Sequence, residues 1–206
     1  MFGVRLSEGD LAPYLNEGLS LAAVNAPESC VVSGPADKIS DLKSKLSSAD
    51  VEFADLHFSA PAHSREVESV LDEFSRFLEA LSFSQPQIPW VSNLTGTWIT
   101  PEESMDPAYW VRHMRQPVRF STAIQTLTQD SSRILLEVGP GRTLATLTIQ
   151  NCAGAEAPLV LTSLRHPQVE RADSELLLET LGRLWVSGAA VDWSGFYAFE
   201  QRRRVR

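Results

Sequence analysis

Apolar residues recur at steps of three and four along residues 65–81, where Val67, Val70, Leu71, Phe74, Phe77, Leu78 and Leu81 form the stripe of an amphipathic helix. The same spacing predicts helices around Leu11, Tyr14 and Leu15, around Ile39, Leu42 and Leu46, and around Phe120, Ala123, Ile124 and Leu127. A final long helix carries Leu177, Leu178, Leu181, Leu184 and Trp185, with Asp173 as its expected N-cap. Short apolar runs of strand type lie at 1–6, 19–24, 30–33, 51–58, 90–94, 133–138 and 158–162. Asn25-Ala26-Pro27-Glu28, Gly34-Pro35 and Thr95-Gly96 supply turns between them. Asp106 and Pro107 open a helical segment that Gln116-Pro117 ends, and Gly139-Pro140-Gly141 joins a strand to a helix at 142–150.

Over residues 1–58 the order is strand, helix, strand, strand, helix, strand, the split pattern of a ferredoxin-like unit. Beyond it, strands alternate with helices, as in a parallel sheet covered by helices. The expected class is therefore α/β with an α+β insert. Only two or three strands serve that second layer, so part of it is expected to lie outside the chain, leaving apolar surface that favours association. Residues 191–206 carry Trp193, Phe196, Tyr197 and Phe199 without a helical period, and are expected to lie across a surface.

Composition removes several functions. The chain has 206 residues and a net charge of -8, which disfavours nucleic acid as a partner, and its one basic cluster is the C-terminal run 202–206. The strands at 19–24 and 30–33 carry no aromatic residue on which RNA bases would stack. Two cysteines, Cys30 and Cys152, suggest neither a disulfide framework nor a metal site. No apolar run is long enough to cross a bilayer, and a cytoplasmic protein is expected.

The stretch that stands out for chemistry is Ser59-Ala60-Pro61-Ala62-His63-Ser64. Ser64 is the natural N-cap of the helix beginning at Arg65, which puts His63 just outside the positive end of that helix, where neutral imidazole is favoured over imidazolium. A neutral imidazole is what a general base needs, but on these residues alone the plainer reading, that His63 merely fills a helix entrance, is favoured. His57, His113 and His166 show no ligand partners and read as ordinary packing or surface residues. Gly139-Pro140-Gly141 lacks the lysine and spacing of a phosphate-binding loop and reads as a connecting turn.

Taken together, residues 19–35 (LSLAAVNAPESCVVSGP), 59–64 (SAPAHS), 90–97 (WVSNLTGT), 106–120 (DPAYWVRHMRQPVRF), 136–144 (LEVGPGRTL) and 184–197 (LWVSGAAVDWSGFY) resemble one family. It is the malonyl-CoA:acyl-carrier-protein transacylase-type acyltransferase domain of modular type I polyketide synthases. The resemblance implies a ferredoxin-like small subdomain at 1–58, the C-terminal part of an α/β-hydrolase-like large subdomain at 59–165, and a closing helix with the post-acyltransferase linker at 166–206. It implies ping-pong transfer of an acyl group from malonyl- or substituted malonyl-CoA, through a serine in a GHSxG elbow, to the phosphopantetheine thiol of an acyl carrier protein. No bound cofactor or metal is implied. His63 corresponds to the family's catalytic histidine, the backbone carbonyl of Gln116 to the group that orients it, and Asn25 to an asparagine near the substrate cleft. Ala60, Pro61 and Ala62 occupy the positions that shape the pocket for the substrate's α-substituent.

Two departures from the family pattern matter. No GxSxG string occurs; the nearest, Gly18-Leu19-Ser20-Leu21-Ala22, ends in alanine at the start of a strand. The chain is thus expected to be the C-terminal portion of such a domain, inactive alone, with an N-terminal half and neighbouring synthase domains as partners alongside the carrier protein. Ala60-Pro61-Ala62-His63 matches neither the HAFH of malonyl-selective members nor the YASH of methylmalonyl-selective ones, and the small Ala62 is expected to admit a methyl branch. The competing expectation is a non-catalytic module that docks within a synthase; a weaker one is a hydrolase relic using another serine.

Overall fold

A computed structural model describes residues 1–15, 18–56, 61–152 and 157–200. The chain divides into two compact units, residues 1–133 with 147–157 and residues 134–146 with 158–206. Ala60, His57, the end of the predicted strand at 51–58 and the basic run 202–206 lie outside the described residues.

The first unit begins with β1 (Phe2–Val4), α1 (Glu8–Leu11), β2 (Ser20–Ala26), β3 (Ser29–Ser33), α2 (Ala36–Ser48) and β4 (Phe53–Asp55). The four strands form one sheet in the order β2-β3-β1-β4 with every neighbour antiparallel. Strand alternation puts Phe2 and Val4 on one face and Gly3 on the other. The first face meets Leu11 of α1 and Ile39, Leu42 and Leu46 of α2, with Cys30 and Val32 sealed between them. Each large side chain buried there contributes roughly 1.5–3 kcal/mol, so this layer holds the sheet and its helices together. Ser7 accepts from the Asp10 N–H at 3.1 Å and starts α1 as its N-cap.

β2 is bent by two register shifts, between Leu21 and Ala23 and between Val24 and Ala26. On its outer edge the Val24 N–H donates to the Val118 carbonyl and the Val118 N–H donates to the Ala22 carbonyl, each at 2.9 Å. A loop distant in sequence thus covers the strand edge in parallel register, through the Ala23–Val118 bridge, and satisfies groups that would otherwise template further pairing.

The remainder of this unit carries helices joined by turns and loops. A 3-10 turn, Arg65–Val67, leads into α3 (Glu68–Glu79), followed by α4 (Pro101–Met105), α5 (Pro107–Arg115) and α6 (Phe120–Thr128). The strand expected at 90–94 is not formed. Val91 makes only an isolated bridge to Trp98, because the Ser92 hydroxyl accepts from the Leu94 and Thr95 amides and folds the segment into a turn. Gly96 completes that turn at φ +73°, and a Cβ there would stand 2.5 Å from the Thr122 Cβ. Thr100 and Glu103 form a reciprocal capping box on α4.

The second unit contains β5 (Ile134–Glu137), the start of α7 (Thr143–Asn151), β6 (Leu159–Thr162), α8 (Asp173–Val186) and α9 (Trp193–Phe196). β5 and β6 pair in parallel. The Glu137 carboxylate accepts from the Leu144 and Ala145 amides at 3.1 and 2.8 Å, so a side chain already occupies the N-terminal amides of α7. The Gly139-Pro140-Gly141 segment is accordingly a strand-to-helix connection with its anion-binding groups taken. Asp173 does not cap α8: Ala172 is at the N-cap, and the Asp173 carboxylate pairs with Arg165 at 3.2 Å instead. Residues 191–200 are not featureless, since Asp192 caps the short α9 through the Gly195 N–H, and Trp193 meets Trp185 edge to face at 5.7 Å.

Several apolar side chains of this unit face outward. Val138 is 82% and Val186 80% exposed, and Leu177, Leu178 and Trp185 are about half exposed or more, at 49–56%. Apolar surface of this kind drives association. Sedimentation velocity is expected to show concentration-dependent self-association of the chain; a single monomeric species at all concentrations would contradict this.

Candidate active site

His63 is built into a tight turn by its neighbours. The Ser64 hydroxyl, with its residue fully buried, donates to the Pro61 carbonyl at 2.6 Å and accepts from the Glu66 N–H at 3.2 Å. That pair of hydrogen bonds caps the 3-10 turn ahead of α3 and closes the loop around His63, whose backbone takes the left-handed conformation at φ +55°. The His63 N–H donates to the Met114 carbonyl at 3.2 Å. Its ring Nδ1 lies 2.9 Å from the Gln116 carbonyl oxygen. A carbonyl only accepts, so Nδ1 carries a proton, and in the neutral ring Nε2 is then the nitrogen with the lone pair.

Gln116 is able to do this because its next neighbour is Pro117. Proline disfavours helix at the preceding residue, and Gln116 sits as the C-cap of α5 in extended conformation at φ −91° and ψ 162°. Its N–H still donates to the Arg112 carbonyl at 2.8 Å while its own carbonyl is turned out of the helix. His63 thus lies between two helix ends: the amide end that leads into α3, as the sequence suggested, and the carbonyl end of α5, which acts on the ring in the opposite sense. Arg115 Nε donates to Glu68 at 2.8 Å across α5 and α3, a partly exposed pair of small energetic weight.

The same segment connects His63 to β2. Val118, two residues beyond Gln116, pairs with Ala22 and Val24, and Asn25 is the next residue along that strand. The Asn25 carbonyl accepts from Asn151 Nδ2 at 2.7 Å, and Asn151 Oδ1 accepts from the Ser121 hydroxyl at 2.6 Å. Pro61 and Ala62 are half-buried beside His63.

His113 is the residue that sequence reasoning passed over. Its ring stands 6.0 Å from that of His63 with an interplanar angle of 86°. Tyr109, His113 and Gln116 succeed one another at steps of four and three, the spacing of one helix face, and that pattern was the available signal. Tyr109 is fully buried, and its hydroxyl is 2.7 Å from that of the equally buried Ser92. Burial, and then the charge of His63, push the His113 ring below the ordinary histidine range.

Other groups can be set aside as nucleophiles or ligands. Burial pushes the Cys30 thiol up to about 11 and raises that of Cys152, which leaves both as packing residues. His166 accepts from the Gln168 N–H in a local turn. Among the described residues no cluster of His, Cys, Asp and Glu could hold a metal ion, and no helix is long and apolar enough to cross a membrane.

A histidine whose Nδ1 is held on a backbone carbonyl, with no hydrogen bond to Nε2 among the described residues, has the geometry that proton transfer requires. Comparison with known proteins makes the class specific. The chain matches the acyl transferase domain family over residues 1–191, and it belongs to that family. It is 34% identical over 194 residues to a component of the phenolphthiocerol/phthiocerol polyketide synthase of Mycobacterium tuberculosis, covering 94% of this chain and 13% of that protein. It is similar to the solved acyl transferase domain of SpnD, in complex with 2-(pent-4-yn-1-yl)malonyl, with 39% identity and a TM-score of 0.87, over 91% of this chain and 46% of that one. The acyl transferase domain of ZmaA superposes with a TM-score of 0.89 at 37% identity, over 100% of this chain and 48% of that one. The curated relative is a polyketide synthase subunit and the solved ones are acyl transferase domains, and this chain spans about half the length of those solved domains.

The His113 environment has a consequence for stability. With the folded-state value lowered, the unfolded chain binds more protons below the ordinary histidine value of 6.5, so stability is full above that pH and is lost as pH falls towards the folded value. Urea unfolding of wild type and His113→Gln is expected to show a smaller acid-side loss in the variant. Parallel pH profiles would contradict this.

Proposed function

We propose that this chain supplies the histidine part of an acyltransferase site, which moves a malonyl or substituted malonyl group from coenzyme A to the phosphopantetheine thiol of an acyl carrier protein in polyketide biosynthesis. The observation that carries the reading is the 2.9 Å contact from His63 Nδ1 to the Gln116 carbonyl, which fixes the tautomer and leaves Nε2 as a base. No GxSxG string occurs in the 206 residues, so the nucleophilic serine and its oxyanion hole come from a segment outside them. On this reading Nε2 takes the serine proton as Oγ attacks the thioester carbonyl, and gives it to the departing coenzyme A sulfur. It then takes the proton of the carrier thiol as that sulfur attacks the acyl-serine, and returns it to serine Oγ as the acyl group leaves.

Asn25, on the strand paired to Val118, is read as a cleft residue. Ala60, Pro61 and Ala62 are read as the wall facing the α-substituent, with Ala62 small enough for a methyl branch. Residues 1–58 are read as a ferredoxin-like subdomain, supported by the strand order β2-β3-β1-β4. Residues 59–165 are the C-terminal part of the large subdomain and 166–206 its closing helix and linker. Acyl-CoA and carrier phosphopantetheine are substrates, with no resident cofactor. The partners are the carrier protein, the serine-bearing half and neighbouring synthase domains, in the cytoplasm. The aromatic group of Trp185, Trp193, Phe196 and Tyr197 favours a second reading, a non-catalytic module that docks within a synthase.

Intact-protein mass spectrometry, with malonyl- or methylmalonyl-CoA and a family N-terminal half bearing the serine, separates the two. Acylation of that half is expected only when this chain is present, and His63→Ala is expected to slow it by about 10²–10⁴-fold. Association without acylation in any mixture would favour the docking module. In the same assay Ala62→Phe is expected to lower the methylmalonyl to malonyl ratio; an unchanged ratio would refute the size argument.

A further inference from the structure

We propose that His113 is a positioning residue for His63, holding the plane of the imidazole that the Gln116 carbonyl alone leaves free to turn. This rests on the reading of His63 as a base. A single hydrogen bond from Nδ1 selects a tautomer only while the ring stays aligned with the carbonyl; an imidazole free to turn about its side-chain torsions breaks that bond and loses the selection. The perpendicular contact with His113, at 6.0 Å between ring centres, supplies the second restraint.

His113 is itself held from behind. Its ring stacks on Tyr109 at 6.2 Å and 25°, and meets Trp110 at 6.2 Å and 65°. Tyr109 is anchored by the buried Ser92 hydroxyl. Trp110 lies against Phe83 on one contact and Trp90 on another, at 6.3 and 5.9 Å, and its Nε1 donates to the Ser104 carbonyl at 3.1 Å. A packed aromatic group therefore ends in an imidazole set against the ring that handles the proton.

The identity of the residue matters as well as its shape. Burial, and then the charge of His63, lower the His113 value, so a positive ring there is disfavoured beside the charge that His63 acquires when it takes a proton. The nearby charges on α5 and α3 are paired elsewhere, Arg112 with Asp106 and Arg115 with Glu68. A neutral ring of similar size should therefore substitute for His113, and a small side chain should not.

The test is nitrogen-15 NMR of the histidine rings in the full 206-residue chain. In wild type the two His63 nitrogens are expected at well-separated positions, one protonated and one bare. In His113→Ala the separation is expected to shrink towards that of a tautomer mixture, and in His113→Phe to stay near wild type, with dispersed Tyr109 and Trp110 ring signals confirming that each variant is folded. An unchanged separation in folded His113→Ala, or an equal loss in folded His113→Phe, overturns the assignment. With the serine-bearing half present, His113→Ala is expected to lower the turnover rate by about tenfold at unchanged KM, and His113→Phe to restore it. If acylation proceeds undiminished in His63→Ala, the acyl-transfer reading fails, and the nitrogen positions still decide whether His113 orients the ring.

Discussion

The restraint that Pro117 places on Gln116 is the constraint on which the rest of the site depends. Were Gln116 helical, its carbonyl would point along the axis of α5 and its successors would continue the helix. Instead the chain leaves α5 extended, one carbonyl faces His63, and two residues later the backbone pairs with β2. A single proline thus lets one short segment contact both the candidate base and the strand that carries Asn25. Neither contact uses a side chain of the segment, so both survive changes in side-chain identity so long as the backbone course is kept.

Packing supplies what backbone geometry cannot. The sheet keeps β2 in place because Phe2, Val4, Cys30 and Val32 are sealed by α1 and α2. α5 is kept in place by Tyr109, which is buried against Ser92 and the two tryptophans, Trp90 and Trp110. His63 is reached from both sides, through Ser64 at the start of α3 and through Met114 and Gln116 at the end of α5. Its surroundings are therefore a junction of two helix ends rather than the single positive end that a reading of residues 63–81 alone suggests.

Much of this was legible in the sequence where local chemistry decides the structure. Ser64 as a cap, Pro107 in the first turn of a helix and the helix spacing of Ile39, Leu42 and Leu46 act within a few residues, and each element formed where expected. The strand expected at 90–94 failed because a hydroxyl, that of Ser92, competes for the same amides as a ladder would. Asp173 failed as a cap because Arg165, outside the helix, claims its carboxylate. His113 was missed for a similar reason: its role depends on a ring 50 positions earlier, and nothing in the helix pattern says which ring will arrive.

The left-handed turn at His63 also constrains how this sequence can drift. Few side chains tolerate that backbone conformation, chiefly glycine, asparagine and aspartate besides histidine, and β-branched residues do so least. If His63 is the base of the proposed transfer, a descendant that abandons proton transfer yet keeps the loop has few alternatives open to it. Asparagine or glycine at this position, in a chain that retains Ser64 and Gln116-Pro117, would mark a lineage in which the scaffold outlived the chemistry.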